Sequence, residues 1–186
     1  MIDAPPQPEL LAHRLAEARA GFDQAHGPAG LAAALREYAG APLVCQDHPW
    51  LRALLPWWGK DDPEVNFLTP QTPAAPLQPE VDTAVSVGFG AVPETGSLLL
   101  GDASFGGWWL SLRPRLHIVV IPAGRAGLTL EEALTLSAAE PSGLVSWITG
   151  PSRTADIEKV LVLGAQGAAA VQAVIYHPES GGEEIP

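Results

Sequence analysis

The densest cluster of binding chemistry in the chain lies in residues 143–159, Gly-Leu-Val-Ser-Trp-Ile-Thr-Gly-Pro-Ser-Arg-Thr-Ala-Asp-Ile-Glu-Lys. An apolar strand pattern ends at Gly150-Pro151, a polar turn of Ser152, Arg153 and Thr154 follows, and Ala155-Asp156-Ile157-Glu158 reads as the start of a helix. A strand running through a polar turn into a helix leaves backbone N–H groups unpaired, and with the positive end of the helix dipole these favour an anion or a polarised carbonyl. Arg153 adds a planar fork that suits a carboxylate or phosphate. Asp156 and Glu158 fit the first turn, where the dipole favours acids. The same residues also spell an ordinary cap: Ser152 or Thr154 caps, Asp156 completes the cap, and Arg153 makes a surface ion pair of little worth. Gly-Pro, Ser, Arg and Thr together in one turn favour a ligand site.

A second candidate is the loop Gly88-Phe89-Gly90-Ala91-Val92-Pro93-Glu94-Thr95-Gly96-Ser97. Its first two glycines allow positive φ or close backbone approach to a ligand. Glu94 could serve as base, nucleophile or acceptor, with Thr95, Gly96 and Ser97 beside it. Alone, the stretch reads equally as a tight turn with a solvated Glu94. The five histidines, His13, His26, His48, His117 and His177, show no metal-ligand spacing on one helix face, so no metal site is expected. His117 opens an apolar strand and reads as a hydrogen-bonded core residue. Cys45 follows Leu43-Val44 and reads as a buried thiol. No serine sits in a nucleophile elbow, and Gly164-Ala165-Gln166-Gly167 is too short for a dinucleotide fingerprint.

The elements that must position these loops follow from periodicity. Residues 8–23 carry Leu10, Leu11, Leu15 and Phe22 on one stripe and read as an amphipathic helix. Residues 28–39 read as a second helix, with Pro28 at its start and Gly40 as its stop, and Pro49–Trp58 as a third. Pro63, Pro70, Pro73, Pro76 and Pro79 make 59–80 a stiff connection. From residue 81 the pattern turns α/β. Strands are expected at Val81–Val87, Ser97–Leu100, His117–Ile121, Leu144–Thr149, Lys159–Leu163 and Val171–Tyr176. A helical turn is expected at Phe105–Leu112, and a helix at Leu130–Ala139 with Thr129 as N-cap. Strands alternating with helices imply a mostly parallel sheet covered by helices, with ligands beyond the carboxyl ends of the strands. The expected organisation is an N-terminal helical segment (1–58), a Pro-rich connection (59–80), an α/β core (81–177) and a flexible tail (178–186).

Composition excludes several function classes. The chain has 186 residues, 47% of them hydrophobic, enough for one domain with its own core. A formal charge of −11 argues against nucleic acid or an anionic membrane surface as partner. An anionic ligand must therefore be held by local donors. A single cysteine allows no internal disulfide and no Cys-ligated cluster. The first residues lack a basic and an apolar leader region, and no apolar run is long enough to span a bilayer, so a cytoplasmic protein is expected.

Placed in order, these loops resemble the LUD-domain family, of the lactate-utilization protein C type. Val92-Pro93-Glu94-Thr95-Gly96-Ser97 is similar to the family's Ala-Glu-Thr-Gly-Thr loop, and Leu116-His117-Ile118-Val119-Val120-Ile121-Pro122 to its Pro-x-x-His-Ile-x-x-Val strand. Gly150-Pro151-Ser152-Arg153-Thr154-Ala155-Asp156-Ile157-Glu158 fits its Gly-Pro-Ser-x-Thr/Ser-Ala-Asp-Ile-Glu signature throughout. Val160–Gly167 stands where the family has Leu-Val-x-Gly-Val-His-Gly-Pro, with Gln166-Gly167-Ala168 replacing His-Gly-Pro. The imidazole is missing there, although Gln166 can still donate and accept hydrogen bonds.

The resemblance implies a fold like that of ribose-phosphate isomerases, glucosamine-phosphate deaminases and CoA transferases. It implies a role in oxidising L-lactate to pyruvate as an accessory subunit that binds no cofactor itself, its partners carrying the iron–sulfur clusters. The expected ligand is a small anion between the Glu94 and Arg153 loops, with Gln166 and Gly167 nearby. A catalytic Glu94 follows only from fold analogy with CoA transferases. A stand-alone enzyme acting on a sugar phosphate or acyl-CoA, and a non-catalytic interaction module, remain open alternatives.

Overall fold

The structure is a computed structural model that describes residues 7–68, 81–101, 110–112, 114–141, 143–155, 161–163 and 167–179, with 153–155 and 161–163 described by backbone alone. Its centre is a six-stranded, wholly parallel sheet. The strands are β1 (Gly21–His26), β2 (Leu43–Gln46), β3 (Val65–Leu68), β4 (Thr83–Val87), β7 (Leu116–Pro122) and β11 (Ala170–His177), in spatial order β1-β11-β7-β4-β2-β3. The central strands β4 and β7 are buried almost throughout, as their mostly apolar sequences require of a sheet covered on both faces.

Side-chain alternation divides the core. Val85, Val87, Ile118, Val120 and Val174 point to one face, where Leu31 and Leu35 of helix α2 (Gly27–Tyr38) cover them. Val119, Ile121, Ala173 and Ile175 point to the other, against Leu11 and Leu15 of helix α1 (Gln7–Glu17) and against Ala91, Leu98 and Leu100. The last three belong to a small antiparallel sheet of β5 (Gly90–Val92), β6 (Ser97–Gly101) and β8 (Val145–Ile148), ordered β5-β6-β8. Its outer residues Val92 and Leu99 meet Ala133 of helix α4 (Leu130–Ala138); the short helix α3 (Pro49–Arg52) precedes it in the chain. Thr129 caps α4 through a full capping box with Glu132, as the sequence predicts.

Several expectations are corrected. The helix expected over 8–23 stops at Glu17. Arg19 takes a left-handed backbone (φ 63), and its N–H bonds Ala16 while that of Ala20 bonds Leu15, a Schellman stop without the usual glycine. Phe22 therefore lies on β1. Segment 1–58 is not only helical, because it supplies β1 and β2 to the central sheet. Pro49–Trp58 is not one helix but α3 followed by a 3₁₀ turn at Leu55–Trp57. Ser97–Gly101 and Val145–Ile148 pair antiparallel in the small sheet instead of joining the parallel one. Gly88 and Gly90 show no positive φ. A Cβ at Gly88 would lie 2.6 Å from the Leu99 carbonyl oxygen, so that glycine admits the protein's own backbone rather than a ligand. Most of the Phe105–Leu112 turn, the stretch 69–80 and the tail from 180 lie outside the described residues.

Candidate functional site

A cleft of about 270 Å³ lies between β8 with its following turn and the starts of β7 and β11. Its polar wall carries Ser111, His117, Ser146, Thr149, Gly150 and Ser152. Leu112, Trp147, Ile148 and Val171 supply apolar surface, and no described lining residue is charged. His117 and Val171 are the second residues of their strands, so the cleft sits at the amino ends of β7 and β11. The sequence expects a site beyond the carboxyl ends; this cleft lies at the opposite end of the sheet. At the carboxyl ends of β1 and β11 lie a stacked His26–His177 pair, with ring centroids 4.4 Å apart, and Trp50 edge-on to Tyr176.

The Gly150–Ser152 turn forms one lip of the cleft. Gly150 has φ +111, and a Cβ there would sit 2.7 Å from the Ala18 carbonyl oxygen, so this position needs glycine for backbone and for space. Pro151 is buried. The Ser152 N–H donates to the Ala168 carbonyl (2.9 Å), and the Ala168 N–H donates to that of Ser111 (3.2 Å). Three segments distant in sequence are thereby laced around the cleft. The next residues form strand β9 (Arg153–Ala155), paired antiparallel with β10 (Leu161–Leu163). Ala155, expected to open a helix, lies in this strand, the rest of the expected helix start (156–158) lies outside the described residues, and the Ser152 N–H is already engaged. A ring of free amides at a helix start does not describe this turn. The backbone of Arg153 and Thr154 leaves directly from the cleft's lip; Asp156, Glu158 and Gln166 lie outside the described residues, and Gly167 lines the cleft.

The Glu94 loop adjoins the turn without contributing its carboxylate. Glu94 and Thr95 are exposed on the tight turn joining β5 and β6. Gly96 takes φ +66 against the backbone of Arg14 in α1. The Thr95 hydroxyl donates to Ser97 Oγ (2.8 Å), and Ser97 Oγ lies 3.0 Å from Thr149 Oγ1 on the cleft. The two loops therefore touch through hydroxyls. Glu94 is not among the lining groups, and nothing in its surroundings prepares it as a nucleophile.

His117 is the hydrogen-bonded core residue that the sequence suggests. It is fully buried, and burial pulls its imidazole from the ordinary 6.5 down to about 4, so it is neutral near pH 7. Its Nε2 lies 2.9 Å from Ser86 Oγ, while Nδ1 has no hydrogen-bond partner among the described residues. A histidine opening an apolar strand announces burial; that His117 also borders a cleft depends on β8 and on residues 111 and 167, which one sequence does not bring together. Among the described residues no group of three His, Cys, Asp or Glu side chains could hold a metal. No described helix is long and apolar enough to cross a membrane.

Comparisons place this architecture. "Lactate utilization protein C" of Exiguobacterium sp. is 26% identical over 157 residues, 77% of this chain and 64% of that protein. The protein of the same name from Geobacillus kaustophilus is 29% identical over 157 residues, 75% of this chain and 65% of that one. The chain thus matches just under two thirds of the length of these relatives. The crystal structure of a DUF162 family protein from Deinococcus radiodurans superposes with a TM-score of 0.67 at 20% identity, covering 94% of this chain and all of that one, which establishes the common fold. The LUD domain family model matches residues 78–176, more than half of the chain and all of the segments that build the cleft, and the chain belongs to the LUD domain family.

Proposed function

We propose that this protein is the cluster-free component of an L-lactate utilization system, and that its cleft holds a small carboxylate. Three of the four family-like stretches converge on one cleft: His117, Gly150–Ser152 and Gly167. The fourth is tied to its rim by the Ser97–Thr149 contact. That convergence carries the reading, and the lactate utilization proteins named above support its direction. In this reading Arg153, the cation next to Ser152, pairs the ligand's carboxylate, and hydroxyls of the cleft complete its hydrogen bonds. A local cation is needed because the global field of a chain at −11 repels anions. The protein works in the cytoplasm as an accessory subunit, and partner proteins carry the iron–sulfur clusters that one cysteine here cannot ligate.

The cleft volume favours this over an acyl-CoA substrate. A space of about 270 Å³ lies at the small end of ligand pockets and suits a three-carbon acid far better than an acyl-CoA. An acyl-transfer route would also need the exposed Glu94 in the cleft. Deletion of the gene should abolish growth on L-lactate as sole carbon source, and the tagged protein should co-purify with iron–sulfur proteins. An Arg153→Ala copy should fold but fail to restore growth. Normal growth of the deletion strain without any iron–sulfur partner would sink the proposal.

A further inference from the structure

Helix α4 carries its large apolar side chains on the outside. Ala133 is the one residue it buries, while Leu130 is 43% and Leu134 56% exposed. These two leucines lie one turn apart and form a ridge along the helix. Beside the ridge runs an open groove of about 550 Å³, walled by Leu128, Glu131, Glu132, Thr135 and Leu136. A helix of nine residues is marginal in water on propensity alone and is ordinarily held by the packing of an apolar stripe. The capping box fixes the start of α4, but its leucine ridge is left open. Single exposed leucines are ordinary, whereas a ridge and a groove together on one short helix make a docking face.

The charges select the occupant. From Ala126 to Ser152 the sequence has three glutamates, Glu131, Glu132 and Glu140, and no Lys, Arg or His. Glu132 is fixed on the groove wall, its carboxylate accepting from the Thr129 N–H (2.8 Å) and the Thr129 hydroxyl (2.9 Å). Glu131 is exposed beside it. Arg125, the base that precedes this stretch, lies in a 3₁₀ turn ahead of the helix. An apolar face rimmed by carboxylates complements an apolar segment with cationic flanks and repels an acidic one. Two-fold pairing with a second copy would set the same acidic patch against itself, in chains that each carry −11. We propose that the Leu130–Leu134 ridge and its groove dock an amphipathic segment of a different protein, apolar on one side and flanked by Lys or Arg. The face adjoins the cleft, because Trp147 packs against the Val92, Leu99 and Ala133 cluster under α4 and also lines the cleft. The proposal does not depend on what the cleft binds.

The test is photo-cross-linking in native cells with the full chain carrying Leu134→p-benzoylphenylalanine, followed by sequencing of the cross-linked peptide. The expected product joins α4 to an apolar segment of another protein with Lys or Arg on its flanks. A synthetic peptide of that segment should then bind the purified full chain in fluorescence anisotropy. Leu134→Ser should weaken that binding about tenfold or more, as loss of a central apolar anchor does. Glu131→Lys should weaken it at least about threefold at low salt and flatten its salt dependence, a response that a purely apolar contact would not give. Both side chains are exposed, so the unfolding midpoints of the two variants should stay with that of the unmodified protein, which separates lost docking from lost folding. A cross-link to a second copy or within the chain, no cross-link at all, a captured segment without basic flanks, or binding that either variant leaves unchanged overturns the proposal. Each of these leaves the carboxylate reading standing, since growth with Arg153→Ala tests that one separately.

Discussion

Lowering the pH from 7 to 5 should cost this protein about 2 kcal/mol of folding stability through His117 alone. His117→Gln should remove that part of the pH dependence. The ring is fully buried, and burial depresses its folded pKa from 6.5 to about 4. The sign follows from proton uptake. Below 6.5 the unfolded chain binds a proton that the folded chain refuses until about 4, so stability is whole above 6.5, falls as the pH drops through that window, and levels off below about 4. The whole window amounts to about 3 kcal/mol, of which about 2 fall between pH 7 and pH 5. Against a typical total of roughly 5–15 kcal/mol this is a large fraction, readily resolved.

Urea unfolding of both proteins at pH 7, 6 and 5 measures it. Other groups titrate too. Asp82 is held low by Arg115, Asp47 by Arg52, and Asp62 first by the Gly59 N–H and then by Arg36; His48 and His177 are lowered by burial. These are common to both proteins and cancel in the difference. The wild type should therefore lose about 2 kcal/mol more than the variant between pH 7 and pH 5. Parallel stability curves would show that the ring takes up its proton in the folded state as easily as in the unfolded one. The argument for a neutral imidazole at the cleft would then collapse.

Gly150→Ala must place a side chain at φ +111 against the Ala18 carbonyl oxygen, and should lower the unfolding midpoint by an amount equivalent to about 2–3 kcal/mol. A loss below about 0.5 kcal/mol would mean that the lip of the cleft yields freely. The Cys45 thiol is buried and pushed up to about 12, so a thiol reagent should leave the native protein unmodified at pH 8 and react only as fast as the protein unfolds. Prompt stoichiometric modification of native protein would contradict the packing of β2.

What the sequence discloses and what it hides divide along physical lines. Strands β4 and β7 are legible because a central parallel strand is buried on both faces, so its sequence is mostly apolar and β-branched, with only Thr83, Ser86 and His117 as polar interruptions. Helix α4 is legible because its cap is a local device, Thr129 and Glu132 three residues apart. Strand β1 is hidden: Gly-Phe-Asp-Gln-Ala-His is polar, lies at the sheet edge, and follows a helix stopped by Arg19 instead of glycine. The turn at Gly150 shows its importance in its residue types but not its mechanism. Free amides at a helix start and a lip laced by Ser152 to Ala168 use the same letters, and only the pairing of β9 with β10 separates them.

The deepest loss concerns His117, and it bears on how an acidic protein could accept an acidic ligand at all. In sequence the histidine is one polar residue in an apolar strand, and burial is the whole of what that context says. The fold adds two facts. Ser86, 31 residues away, takes one ring nitrogen, and His117 is among the residues around the cleft beside β8. The described lining of that cleft carries no carboxylate, although the chain has 21 acidic residues. A neutral wall of hydroxyls and imidazole spares a carboxylate ligand repulsion at short range, where screening by salt is weakest. In the proposed reading Arg153 then needs to supply only one attractive partner, and discrimination among small acids falls to the neutral groups within.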